Sequence, residues 1–240
     1  MQQRLLMFLL VTLWSPTTGR LLPAPDPSLP LRQVRVLAGG HSNHADGPGP
    51  TALFYWPSDV AIGPDGTLYV ADTENHCIRK ITPSGHVTTL AGAARVEGYA
   101  DGPSRTARFR RPVSLAVDAA GAVYVADAWN YCLRRIAPDG QVSTLAGAPG
   151  QEGNADGAGS SARFGRLGGL ALDGRGTLYV ADTPNRRVCT VSPAGQVRTL
   201  ARRPDKYYEL GAAVFLESPE DVAVDLQGTV YVADRSMPCL

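Results

Sequence analysis

Long apolar runs are scarce in this sequence. The longest, Leu5 to Trp14, covers about ten residues, against the roughly twenty needed to cross a bilayer, so the 240-residue chain carries no transmembrane segment by this reading. Charge is thin as well. Asp, Glu, Lys and Arg make up 19% of the chain and balance to a formal net charge of +1, which excludes a disordered polyelectrolyte. Lysine is almost missing: of 23 basic residues only Lys80 and Lys206 are lysine. Arginine suits bidentate contacts to carboxylate or phosphate, although a GC-rich coding sequence is the simpler explanation of the bias. No Gly-x-Ser-x-Gly elbow, His-Glu-x-x-His helix or phosphate-cradling glycine loop occurs, which removes the commonest hydrolase, zinc-protease and nucleotide-binding readings. There is no Asn-x-Ser/Thr sequon, only the weak cysteine variants at Asn75-His-Cys77 and Asn130-Tyr-Cys132.

Backbone punctuation, by contrast, is plentiful. The 26 glycines and 19 prolines form just under a fifth of the chain, against roughly 12% in an average protein. That argues for many short strands joined by turns. A hydrophobic content of 44% lets a domain of this size bury on the order of 70% of its unfolded surface, so a core forms without help from disulfides. The first residues read differently from the rest. Arg4, the apolar stretch to Trp14 and the polar Ser15–Gly19 have the order of a secretory signal over 1–19, so the mature protein is expected to be secreted. Residues 20–33, with Pro23, Pro25, Pro27 and Pro30, read as an extended linker.

From residue 34 onward one pattern is written nearly four times. Tyr-Val-Ala-Asp occurs at 69–72, 124–127, 179–182 and 231–234, at intervals of 55, 55 and 52 residues. Leu-Ala-Gly recurs at 37–39, 90–92 and 145–147, and Ala-x-Phe at 52–54, 107–109, 162–164 and 213–215. A regular period near fifty marks a repeat architecture whose units bury their apolar faces against one another. Within the first unit, Asp59–Ile62, Thr67–Ala71, Cys77–Ile81 and Val87–Leu90 alternate as strands separated by Gly/Pro/Asp turns. The fold class is therefore all-β: a β-propeller of four-stranded antiparallel blades.

The stretch 65–81, Asp-Gly-Thr-Leu-Tyr-Val-Ala-Asp-Thr-Glu-Asn-His-Cys-Ile-Arg-Lys-Ile, resembles the NHL repeat, and the match recurs at 113–136, 168–191 and in half at 220–234. Departures are Cys77 and Cys132, where the repeat has a polar residue, and Leu167, where Pro57, Pro112 and Pro219 stand in the other units. The units run over about 34–92, 93–147, 148–202 and 203–240, the last incomplete. Val34–Gly39 matches a fourth, outermost strand that would complete the last blade and leave no bare edge. NHL propellers resemble six-bladed rings, so either this is a four-blade ring with a defective seam or a shortened product of a longer chain. The second is preferred, because a seam lacking a strand leaves backbone groups unpaired.

Strand parity puts the long loops between units and the turns between strands two and three on one side. Loops on a rigid scaffold carry binding residues, so this face, with Arg105, Arg108, Arg110, Arg111, Arg163 and Arg166, is the candidate site. The resemblance implies a protein-binding or scaffold module. Some NHL propellers bind RNA through a basic face, but a secreted protein rarely meets RNA, so an acidic protein surface or an anionic glycan is the expected partner and nucleic acid is disfavoured. The rival is a metal-dependent lactonase or lyase of related propellers, which needs unrepeated Glu, Asn, Asp or His at the inner strand ends; here repeated small or apolar residues fill those places. The other alternative is a truncated isoform without independent activity.

Asp72, Asp127, Asp182 and Asp234 recur in every unit, with Asn75, Asn130 and Asn185 following. A ring of carboxylates could take a cation, but an Asp that caps its own turn, supported by the Asn, is the preferred reading. The Asp-Gly pairs at 46–47, 101–102 and 156–157 read as turn formers. His41, His44 and Asp46 could suit zinc, yet the equivalent third-unit loop has no histidine, so no metal site, no cofactor and no catalytic residue is assigned. Cys77, Cys132 and Cys239 lie five residues after the Asp of their unit and Cys189 seven after. Equivalent positions in neighbouring blades stand too far apart for a bridge, so buried thiols are expected, with Cys239 to Cys189 the best pairing if one forms.

Overall fold

The computed structural model describes residues 36–39, 43–202 and 216–235. Three five-stranded antiparallel sheets and one two-stranded sheet follow one another along the chain. Blade 1 comprises β1 (Gly47–Pro48), β2 (Pro57–Ile62), β3 (Leu68–Asp72), β4 (Cys77–Ile81) and β5 (His86–Gly92), in the order β1-β5-β4-β3-β2. Blade 2 repeats it with β6 (Gly102–Pro103), β7 (Pro112–Val117), β8 (Val123–Asp127), β9 (Cys132–Ile136) and β10 (Gln141–Gly147). Blade 3 has β11 (Gly157–Ala158), β12 (Leu167–Leu172), β13 (Leu178–Asp182), β14 (Arg187–Val191) and β15 (Gln196–Arg202). Blade 4 contributes β16 (Pro219–Val224) and β17 (Val230–Asp234). The chain folds as a β-propeller array of meander blades.

Two features differ from the expectation. Each complete blade gains a two-residue outer strand, in which the inter-unit loop pairs with the fourth strand (Gly47↔Val87, Gly102↔Val142, Gly157↔Val197) before crossing to the inner strand. Such strands are too short to carry a period-2 signal. Residues 36–39 of the expected outermost strand are not in a strand; Gly39 N–H instead donates to Gly49 O at 3.1 Å.

Local chemistry accounts for the meander. The first hairpin of each blade closes on a glycine with positive φ, Gly66 at 79° and Gly121 at 84°, a conformation that favours glycine. The second hairpin is a 3-10 turn ending in a left-handed residue, His76, Tyr131 or Arg186. Inner strands pack in series, β2 on β7, β7 on β12 and β12 on β16. Between blades 1 and 2, Tyr69, Ala71 and Ile78 meet Leu115, Val123 and Val125; between blades 2 and 3, Tyr124, Ala126 and Leu133 meet Leu170, Leu178 and Val180. Phe109 and Phe164 of the Ala-x-Phe marker are fully buried, each contributing roughly 1.5–3 kcal/mol. Leu167 fills its proline-equivalent place as a buried strand residue. Beside it, a Cβ on Gly168 would meet Glu220 O, which is why blade 4 approaches there so closely.

Candidate functional site

Each complete blade is locked by a buried arginine. Asp72 ends β3 and is fully buried. Its Oδ1 accepts Tyr55 N–H at 2.7 Å, and its Oδ2 accepts Asn75 Nδ2 at 2.9 Å and Arg79 Nη1 at 2.7 Å. Arg79 Nη2 then donates to Asp46 Oδ1 at 2.7 Å and Ala45 O at 2.8 Å. Blade 2 repeats this with Asp127, Asn130, Arg134 and Asp101. Blade 3 repeats it with Asp182, Asn185, Arg187 and Asp156. Guanidinium faces lie on aromatic rings, Arg79 on Phe54 at 4.9 Å and Arg134 on Tyr99 and Phe109 at 4.7 and 5.1 Å. Burial pushes the Asp127 carboxyl up, to about 6, against the pull of Arg134 and Asn130; burial raises Asp182 too. In blade 4, Asp234 accepts Glu217 N–H at 2.9 Å.

None of these aspartates makes a side-chain cap on the 3-10 turn that follows it in blades 1–3. The carboxylate instead fastens the incoming long loop through its backbone N–H and joins the Asn and Arg. Asp46, Asp101 and Asp156 complete the clamp and also accept Thr89, Thr144 and Thr199 N–H. Sequence reasoning missed the arginines, since each lies 31–33 residues from the loop aspartate it meets. The recurring Asp-Gly pair was the available signal.

The six arginines of the long loops divide. Arg108 and Arg163 donate to carbonyls of their own loops, at 2.8 Å to Ala107 O and 2.8 Å to Ala162 O, and Arg105 is exposed. Arg110, Arg111 and Arg166 converge on Trp129, in the turn between β8 and β9, with guanidinium carbons 5.6, 4.9 and 5.6 Å from its ring centroid. Arg110 pairs with Glu97 at 3.1 Å and Arg111 with Glu74 at 2.8 Å. Arg111 N–H donates to His76 Nδ1 at 3.2 Å, and burial lowers the pKa of that imidazole. Arg166 is exposed, with no ion pair among the described residues. A ring face bounded by guanidinium planes attracts anions through charge while offering an apolar surface.

A cleft of about 620 Å³ opens between the inner strands, lined among others by Asp59, Ser114, Gly169, Asp221 and Arg235. Asp59 is engaged, accepting Ser114 Oγ and Leu115 N–H, both at 2.7 Å. Burial, assisted by Asp59, raises the pKa of Asp221.

Residues 1–19 and 20–33, His41 and Cys239 lie outside the described residues. His44 Nε2 meets Thr89 Oγ1 at 3.0 Å. Cys77, Cys132 and Cys189 are free and buried. Among the described residues no helix is long and apolar enough to cross a membrane, and no cluster of three or more His, Cys, Asp or Glu could hold a metal.

Serial antiparallel blades fastened at Tyr-Val-Ala-Asp define a β-propeller of the repeat type. The NHL repeat family model matches residues 54–81 and 109–136, so the chain carries NHL repeats. It is 31% identical over 150 residues to NHL repeat-containing protein 2 of Bos taurus, covering 57% of this chain and 21% of that one. It is 30% identical over 154 residues to Teneurin-3 of Danio rerio, covering 55% of this chain and 6% of that one. Among solved structures, an auxiliary nutrient binding protein of Bacteroides thetaiotaomicron aligns with a TM-score of 0.64 at 15% identity, covering 82% of this chain and 53% of that one. The chain thus spans about a fifth or less of these two curated relatives and about half of that structure.

Proposed function

We propose that the chain is a secreted binding module that holds an acidic protein surface on its long-loop face. One observation carries this reading: three guanidiniums from two blades gather on Trp129, a turn position that varies from blade to blade, since Trp129 corresponds to Glu74 and Pro184. Structural residues recur from blade to blade, whereas recognition residues on a repeat scaffold vary. NHL propellers commonly mediate protein interactions, which supports the reading. An anionic glycan would use the same charge. The test is cross-linking capture from extracellular medium by the full chain and by Arg110→Ala/Arg111→Ala/Arg166→Ala, with Arg175→Ala as a control away from Trp129. Identical capture by the wild type and the triple variant would sink the proposal; retention on heparin but no protein capture would redirect it to a glycan.

A second reading, catalysis in the cleft between inner strands, has the raised carboxyl of Asp221 in its favour. Stoichiometric divalent metal in purified protein, lost in Asp221→Ala, would favour it.

A further inference from the structure

The junction between blades is made of the same parts each time. Ala61, Tyr69 and Ala71 on the rear of blade 1 pack on Leu115, Val123 and Val125 at the front of blade 2, with Asp59 accepting Leu115 N–H. Above the strands, the residue before each inner strand reaches back to the preceding turn, Arg111 to Glu74 and Arg166 to Trp129. Carried one blade forward, the positions of Leu115, Val117 and Arg111 are Val60, Ile62 and Trp56 of blade 1. These three side chains are 58, 68 and 73% exposed, where Leu115 is 4% exposed. Carried to the far end, Ala61, Tyr69 and Ala71 become Ala223, Tyr231 and Ala233 on the rear of blade 4, paired in the same register. There Tyr231 is 54% exposed, against 8% for Tyr69.

A third observation points the same way. The bond from Gly39 N–H to Gly49 O, 3.1 Å, repeats the bond from Gly92 N–H, at the end of β5, to Ser104 O of blade 2, also 3.1 Å. A Cβ on Gly85 would meet the Leu37 side chain at 3.8 Å, as one on its equivalent Gly195 would meet the Leu145 side chain of the preceding blade at 3.7 Å. Residues 36–39 therefore lie on blade 1 as the end of an outer strand belonging to a blade in front of it, yet they belong to no sheet. Blade 4, in turn, has two inner strands and no outer ones among the described residues.

We propose that the rear face of blade 4 in one copy of this chain docks on the front face of blade 1 in a second copy, head to tail, beside residues 36–39. Both faces belong to the same chain and continue a junction already formed three times within it. One position is mismatched: Asp221 of the docking copy would meet Asp59 where Ser114 stands in the internal junction, so the contact is weaker than an internal one. A heterologous contact of this kind propagates unless the rotation closes.

Sedimentation velocity of the full chain tests this at concentrations on the order of 10–100 μM, where weak contacts assemble. The wild type is expected to form species larger than a monomer as concentration rises. Val60→Asp and Tyr231→Asp each replace a mostly exposed side chain, and each alone is expected to be monomeric. Mixed in equal amounts, they retain one intact front and one intact rear, and are expected to give a 1:1 dimer that grows no further. Ile62→Asp, substituted for Val60→Asp, is expected to behave alike, and unchanged circular dichroism certifies the fold of each variant. A wild type that stays monomeric throughout, a Tyr231→Asp variant that self-associates like the wild type, or a mixture that remains monomeric overturns the proposal.

Discussion

Arg187 and Cys189 stand in each other's places. In blades 1 and 2 cysteine opens the third strand and arginine follows two residues later, as Cys77 and Arg79, then Cys132 and Arg134; β14 has the reverse order. Alternate residues of a strand share a face, so either order puts thiol and guanidinium in one buried layer. The guanidinium also finds equivalent carboxylates. Arg79 and Arg134 reach theirs through Nη1, which leaves Nε of each buried without a partner, whereas Arg187 uses Nε on Asp182 at 2.8 Å.

This exchange predicts a rescue. Arg187→Cys strands Asp182 without its cation and is expected to cost about 3–5 kcal/mol, the usual penalty for breaking a buried pair. Arg187→Cys/Cys189→Arg recreates the order of blades 1 and 2 and is expected to recover most of that loss. Urea unfolding of wild type, single and double variants measures both; a double variant no more stable than the single one would show that the two orders are not interchangeable.

The fold was legible because its markers are local. Tyr-Val-Ala-Asp and the Gly turns report on neighbours within a hairpin, so the meander and its period could be read directly. The clamp was not, because Asp46 and Arg79 lie 33 residues apart and β14 shifts the arginine by two positions. A column-by-column comparison of repeats would place Arg187 opposite Cys77 and hide the equivalence. Trp129 was missed for a different reason: a single aromatic in a turn otherwise occupied by Glu74 and Pro184 carries no periodic signal, and only the fold shows that Arg166, 37 residues on, returns to it.

Stability should carry a signature of Asp127. Burial holds its carboxyl at about 6 in the fold, above the ordinary 3.8. A group whose folded pKa is raised takes up a proton on folding, so its contribution is fully present below about 3.8 and is lost as pH rises through about 6. The loss is on the order of 1–3 kcal/mol. Asp127→Asn cannot titrate and is expected to flatten the fall in unfolding free energy between pH 4 and 6.5, about the window this shift implies. Equal slopes in wild type and variant would contradict the assignment.

Thiol chemistry should follow burial. Burial pushes Cys189 up to about 12 and raises Cys77 and Cys132 well above the ordinary thiol range. Thiolate is the reactive form, so at about pH 8 an aromatic disulfide reagent is expected to modify at most one of the four cysteines of the native chain. All four should react in guanidinium. Rapid reaction of two or more native thiols would mean that the clamps open readily.

The arginine face should bind anions in a salt-dependent way and with defined geometry. Arg166 projects its charge without an ion pair among the described residues, while Arg110 and Arg111 are held against Trp129 by Glu97 and Glu74. A fluorescent poly-glutamate peptide is the simplest probe of an acidic surface. At low salt, Arg166→Ala is expected to weaken its binding about fivefold, the scale of one partly exposed charge contact, and the triple alanine variant to weaken it further. Raising ionic strength to about 0.5 M, where the Debye length falls towards 4 Å, is expected to erase the difference between variants. Arg105→Ala removes an equal charge away from Trp129, so a loss matching that of Arg166→Ala would reduce the effect to net charge and remove Trp129 from the account. Quenching of Trp129 fluorescence on titration, absent in Trp129→Leu, would place the anion on the ring.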